Sequence, residues 1–342
     1  MGVPTGPGGR AEPGVGASQD AASPTPAAPC PGPDDVLHDP LADPLADPDP
    51  TVPHVAAAPA AQRRVRGGDP GLFGPDSVTW RVHSDPLMGV AGLRALLLQA
   101  LHPVAMHAVD EHSTYQEDPW GRLTRTAEYV GVTTYGSATE AMLAGSRVRA
   151  VHARIRGTMP GGVEYAADDP QLLAWVHCCL VASFLEIVTR GGLRLSGTEQ
   201  DRYVAEQVKA AMLVGLEPDE VPHDRAGLLD YFSVIKPLLE VTPAARRAAS
   251  VVVAPRMPTA VALMTPALPA WAGVAGLAFA ALPPWARRTY ALPELPGAAG
   301  LTDAATTVAL RTMRTALKGV QAVVPPLREG PHLRAARLRL GG

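Results

Sequence analysis

The chain has 342 residues, a mass of 35.7 kDa and a formal net charge of −3, which excludes a globally basic nucleic-acid binder. Hydrophobic residues make up 46% and charged residues 18%, enough apolar material for a sizeable core in one large domain or two smaller ones. Three cysteines exclude a disulfide scaffold and fit a reducing, cytoplasmic setting.

Residues 1 to about 66 are mostly Pro, Ala, Gly and Asp, and contain the repeat Asp39-Pro-Leu-Ala-Asp43-Pro-Leu-Ala-Asp47-Pro. Such a segment cannot bury enough surface to offset its ordering entropy, so a disordered tail is predicted over 1–66 and a helical domain over 67–342. The first residues, Met1 to Gly9, have no basic cluster followed by an apolar block, and no secretory signal is expected.

From Leu72 onward the pattern is helical. Asp85-Pro86, Asp118-Pro119 and Asp169-Pro170 each set an N-cap acceptor before a proline at the first helical position. Ser196-Gly-Thr-Glu199 is a capping box, and its helix should reach about Gly215. Leu172 to Thr189 is apolar almost all round, as in a buried bundle helix, and its Cys178 and Cys179 read as core packing. Val261 to Leu282 carries no charge, but Pro266 and Pro269 should break it early and Pro283-Pro284 close it. The unbroken part, about Ala270 to Leu282, is too short to span a bilayer and suits a buried helix or a peripheral membrane contact. The expected fold is an all-α, multi-helix bundle.

Candidate chemistry lies between Arg94 and His177. A helix from Gly92 is ended or kinked at His102-Pro103. His107 and His112 follow at spacings of five, which does not stack imidazoles on one helical face. Glu111 and His112 are merely adjacent. Arg122, Arg125, Thr126 and Tyr129 fall at i, i+3, i+4 and i+7, so one face carries two guanidiniums, a hydroxyl and a phenol. That face is either ion-paired and solvated or aimed at an anion or oxygen ligand. Val148, Val151, His152 and Ile155 form a stripe that puts His152 on an apolar face. Arg147 and Arg154 flank it on one side, Arg149 and Arg156 on the other. His152 is then either a core histidine bonded to a carbonyl or an axial ligand to haem iron, with the arginines meeting the propionates. His177 is a second buried candidate with the same two readings.

The string Gly92-Leu-Arg94-Ala-Leu-Leu-Leu-Gln99-x-x-His102-Pro103, His112-Ser113, Asp118-Pro119, Arg122-x-x-Arg125-Thr126, Val151-His152-x-x-x-x-Gly157 and Trp175-Val-His177 resembles the rubber-oxygenase catalytic-domain family. That family includes latex-clearing proteins and mycophenolic-acid-pathway oxygenases, and the resemblance covers roughly residues 75 to 300. It implies a globin-like helical core, a b-type haem, and dioxygen acting on a small apolar alkene such as an unsaturated lipid or terpenoid. It further implies His152 as the iron ligand and Arg122, Arg125 and Thr126 on the distal side, while the flanking Arg149 or Arg156 would hold the propionates. Arg125 stands where latex-clearing members have lysine. Arginine does not deprotonate, so a distal lysine–iron closed state is not expected. No glutamate aligns with a catalytic base, although Glu111 is near. The competing expectations are a haem-binding protein without turnover and a structural helical protein without a cofactor.

Overall fold

A computed structural model describes Gly2 and residues 68–257, 267–291, 299–324 and 329–341. The tail expected over 1–66 lies outside the described residues except for Gly2. The described remainder is all-α but for one short hairpin. In chain order it contains α1 (Val78–His83), α2 (Met88–Gln99), α3 (Pro103–His112), α4 (Pro119–Tyr135) and α5 (Ala138–His152). The hairpin strands β1 (Arg156–Thr158) and β2 (Glu164–Ala166) follow. Then come α6 (Pro170–Arg190), α7 (Gly197–Leu213), α8 (Arg225–Ile235), α9 (Pro243–Val253), α10 (Ala267–Ala280), α11 (Pro284–Thr289), α12 (Ala299–Val323) and α13 (Pro331–Leu340).

The core is built on α2 against α6, with Leu93, Leu97 and Leu98 of α2 facing Trp175, Val181 and Ile187 of α6 in one buried cluster. By length and composition α6 could cross a membrane, but 72% of its most apolar window is buried inside the protein, as in a core helix. Cys178 and Cys179 are free and fully buried within it, as expected. Arg94 also lies in this core at 5% exposure. Its Nε donates to the Ala281 carbonyl (2.9 Å) and its Nη1 to Ser183 Oγ (2.8 Å). Burial pulls its pKa down to about 10, against the pull of Glu186, so it stays charged at neutral pH.

Asp118 and Asp169 cap α4 and α6, accepting from Gly121 N (2.8 Å) and Gln171 N (2.7 Å). Ser196 and Glu199 form the expected capping box, and α7 ends at Leu213. Asp85 departs from the pattern. The helix after it starts only at Met88, with Leu87 as N-cap, although Asp85 Oδ1 still accepts from Leu87 N (3.1 Å) while its Oδ2 accepts from Arg314 Nε of α12 (2.7 Å). Pro269 also fails to break its helix. It stands in the first turn of α10, where the helix requires no N–H donor. Of α10 only Ala275 and Ala278 are buried, and Leu268 is 45% exposed. Residues 261–266 of the same uncharged stretch lie outside the described residues.

Candidate active site

Proline at the first position of α3 forces the break expected at His102. The axes of α2 and α3 bend by 106° there, and the His102 ring accepts from Ala105 N as the N-cap of α3. His102 therefore serves the backbone.

The α4–α5 pair carries the densest set of candidate residues. Gly145 lets α5 press onto α7, since a Cβ there would sit 2.7 Å from the Leu213 carbonyl oxygen. Arg122, Arg125, Thr126 and Tyr129 all stand on α4, partly buried. His152 is the last residue of α5, and burial together with the nearby Arg122 guanidinium holds its pKa below the usual histidine value, against the pull of Asp168. Its Nδ1 is buried without a hydrogen-bond partner among the described residues. Neither the carbonyl bond of a core histidine nor the orienting bond of a supported ligand is present on that nitrogen. Tyr129 OH is likewise buried without a partner, and burial pushes its pKa up to about 12 against the charge of Arg149.

Other candidates are placed differently. Thr126 Oγ1 donates to the Arg122 carbonyl (2.9 Å), the back-bond common for threonine in a helix. With its one proton engaged, Thr126 can only accept from a ligand in this rotamer. Arg125 Nη1 lies 3.5 Å from the Asp118 carboxylate. Arg149 is exposed and donates to the Leu213 carbonyl. The expected helical stripe stops short. The α5 helix ends at His152, and Ile155, though buried, lies in the turn to β1, where its carbonyl accepts from Ala167 N (2.9 Å). Arg156 consequently sits on β1, exposed and paired with Asp168 at 2.9 Å. His177 is buried in α6, and burial alone lowers its pKa to about 4, with no contribution from the α4–α5 arginines.

The hairpin brings in a residue that sequence patterning passed over. Tyr165 of β2 pairs in register with Gly157 of β1 and packs its ring edge-on against His107 (5.6 Å) and His112 (6.2 Å). Its hydroxyl donates to Glu111 Oε2 (2.9 Å) and lies 3.0 Å from His112 Nε2. The turn Pro160-Gly161-Gly162, with both glycines at positive φ, was the available signal for this hairpin.

The family described as ER-bound oxygenase mpaB/B′/Rubber oxygenase, catalytic domain, matches residues 80–318. The chain belongs to this family. The match contains α2 through α11 and most of α1 and α12, so all the candidate residues above fall inside the oxygenase catalytic domain. Two curated relatives are similar over a shorter stretch: the uncharacterized proteins Mb2261 of Mycobacterium bovis and Rv2237 of Mycobacterium tuberculosis. Each is 33% identical over 78 residues, 23% of this chain and 30% of the relative. The aligned part of the chain thus spans under a third of their length. No solved structure matches the chain.

Whether an oxygenase cofactor suits these residues can be judged from their chemistry. Among the described residues no group of three or more His, Cys, Asp or Glu could hold a metal ion, so a purely protein-ligated metal centre has no donor set there. A haem needs only one axial side chain, and His152 is a neutral imidazole with a cation beside it and an unpartnered phenol on the neighbouring helix. The donor set fits haem. A cavity of about 220 Å³ lies elsewhere, between His83, Asp85, Tyr135 and His332, and His152 does not line it.

Proposed function

We propose that this oxygenase-family protein is a haem b-dependent enzyme that uses dioxygen on a small apolar, unsaturated lipid or terpenoid. The observation that carries the reading is His152, kept neutral by burial and Arg122 at the end of α5 within the family domain. His152 would ligate the iron, and Arg149, which donates to the Leu213 carbonyl, or Arg156, which pairs with Asp168, would meet a propionate. When bound, haem supplies the redox-active iron for dioxygen chemistry. The protein's own part is electrostatic. Arg122 keeps a permanent positive charge near His152 and favours anionic character developing beside it. Arg125 keeps its proton at any physiological pH, so it contributes charge and no metal bond. The protein would act in the cytoplasm, with the uncharged, half-exposed α10 as its peripheral membrane contact.

The absorption spectrum of the purified full chain with added haem tests the cofactor. A Soret band is expected. His152→Ala should lose most of it, whereas His177→Ala should keep it. Loss only in His177→Ala would move the ligand to α6, and no band in the parent would end the haem reading. Dioxygen uptake on adding an unsaturated terpenoid separates an enzyme from a carrier. The distal side has its own spectral test. Arg125→Lys should give a low-spin form at high pH that the parent lacks, and identical titrations from pH 7 to 10 would place Arg125 away from the iron.

A further inference from the structure

Three polar side chains outside the proposed haem ligand set, Glu111, His112 and His107, gather around Tyr165. Its single hydroxyl proton goes to Glu111 Oε2, so its oxygen accepts from His112, which fixes a proton on His112 Nε2. The other Glu111 oxygen lies 3.2 Å from His107 Nε2, off the line of a hydrogen bond. Glu111 is 47% exposed on its side chain, while Tyr165 is buried at 7%. Space for the hydroxyl is made by Gly157, where a Cβ would overlap it. The tyrosine ring joins Ala108, Val151 and Ile155 in one buried cluster, so the group abuts the end of α5 that carries His152.

We propose that Tyr165 is a positioning residue that links His112 to the solvent-facing Glu111 as a proton relay on the flank of the site helix. The proposal rests on the reading of α5 as the helix of the active site. One transfer balances as follows. The Nε2–H bond of a His112 imidazolium breaks as an O–H bond forms on Tyr165. The original Tyr165 O–H breaks as Glu111 Oε2 gains a proton. His112 ends neutral with its proton on Nδ1, Glu111 ends neutral, and no electron moves. The two shifts must be concerted, because burial and the Glu111 hydrogen bond push the tyrosine pKa up to about 12 and disfavour a free tyrosinate. The charged and titratable groups around the relay are His107 and Asp110 on α3, Arg247 on α9, which pairs with Asp110, and Tyr115, which donates to Asp110 at 2.7 Å.

The test is imidazole and carboxyl NMR titration of the full-length protein from pH 4 to 9. In the parent, His112 should show the Nε2–H tautomer when neutral and respond to the Glu111 titration. Tyr165→Phe keeps the ring and removes the link. It should abolish that response, so that the His112 resonances no longer follow the Glu111 carboxyl. Glu111→Gln should move His112 as well, and it decides the matter if Tyr165→Phe does not fold. Unchanged His112 titration in a folded variant would make Tyr165 a packing residue and overturn the relay. These titrations need no bound haem. A missing Soret band therefore ends the cofactor reading alone, and unchanged titration beside an intact Soret band ends the relay alone.

Discussion

His83 uses both ring nitrogens inside the protein, 2.7 Å from Thr134 Oγ1 and 3.1 Å from Tyr203 OH, and burial lowers its pKa to about 3. His177 is lowered to about 4 by the same cause. An unfolded histidine titrates near 6.5, so between that pH and about 4 the unfolded chain binds protons that the native state refuses. The stability from these neutral rings is complete above pH 6.5 or so and is lost as the pH falls through the native values. Each ring contributes a slope of about 1.4 kcal/mol per pH unit in that window. Urea midpoints measured at pH 7 and pH 5 should show the loss, and His177→Gln should reduce it by one histidine's share. An equal loss in parent and variant would mean that His177 is protonated in the folded protein. Such residues divide sharply in how far they can be read from sequence. The sequence stripe marks His152, which the structure leaves partly buried at the end of α5 beside the buried Val151. Arg94 stands in the family motif string, but its partners, a carbonyl and a hydroxyl 187 and 89 positions away, have no local mark in the sequence.

Helix starts were legible wherever the cap is local, as at Asp118, Asp169 and Ser196. At Asp85 the carboxylate serves both a local amide, Leu87 N, and the distant Arg314, and the helix begins three residues later, at Met88. The end of α5 was misread because the hydrophobic stripe runs on through Ile155 after the backbone has turned toward β1. Periodicity reports which face is buried, and a buried turn residue satisfies it as well as a helical one. At this scale the contact of α5 with α7 makes a direct prediction. In Gly145→Ala the new methyl would lie 2.7 Å from Leu213 O and 3.0 Å from Leu213 Cβ, so the helices must part. A destabilisation of about 1–3 kcal/mol is expected from overpacking, read as a lower denaturation midpoint. A neutral result would show that α7 yields easily. If haem sits at the end of α5, the same variant should also lower haem content.

Across the whole molecule, Asp85 and Arg314 join the start of the domain to α12. The carboxylate is 2% exposed and the guanidinium 14%, so each partner depends on the other for charge compensation. Arg314→Met should cost about 3–5 kcal/mol, because it strands a buried carboxylate. Adding Asp85→Asn should recover a large part of that loss. Thermal midpoints of the two single variants and the double variant form the check, and additive losses would show that the two groups do not interact. Family and fold class were both legible at this scale, because capping residues and an ordered motif string span most of the chain. The pairing of the two ends of the domain was not, since nothing local marks residues that meet across 229 positions.

That span also matters in time. At roughly 5–20 residues per second, a ribosome needs about 10–45 s to pass from Asp85 to Arg314. Throughout that interval the α2–α6 core can assemble, but Arg94 has only Ser183 as a partner until Ala281 emerges, and Asp85 has no guanidinium at all. The growing chain therefore carries two buried-type charges waiting for their partners. A release before α10 should leave a polypeptide that collapses around α2 and α6 without closing, a natural substrate for chaperones and proteases.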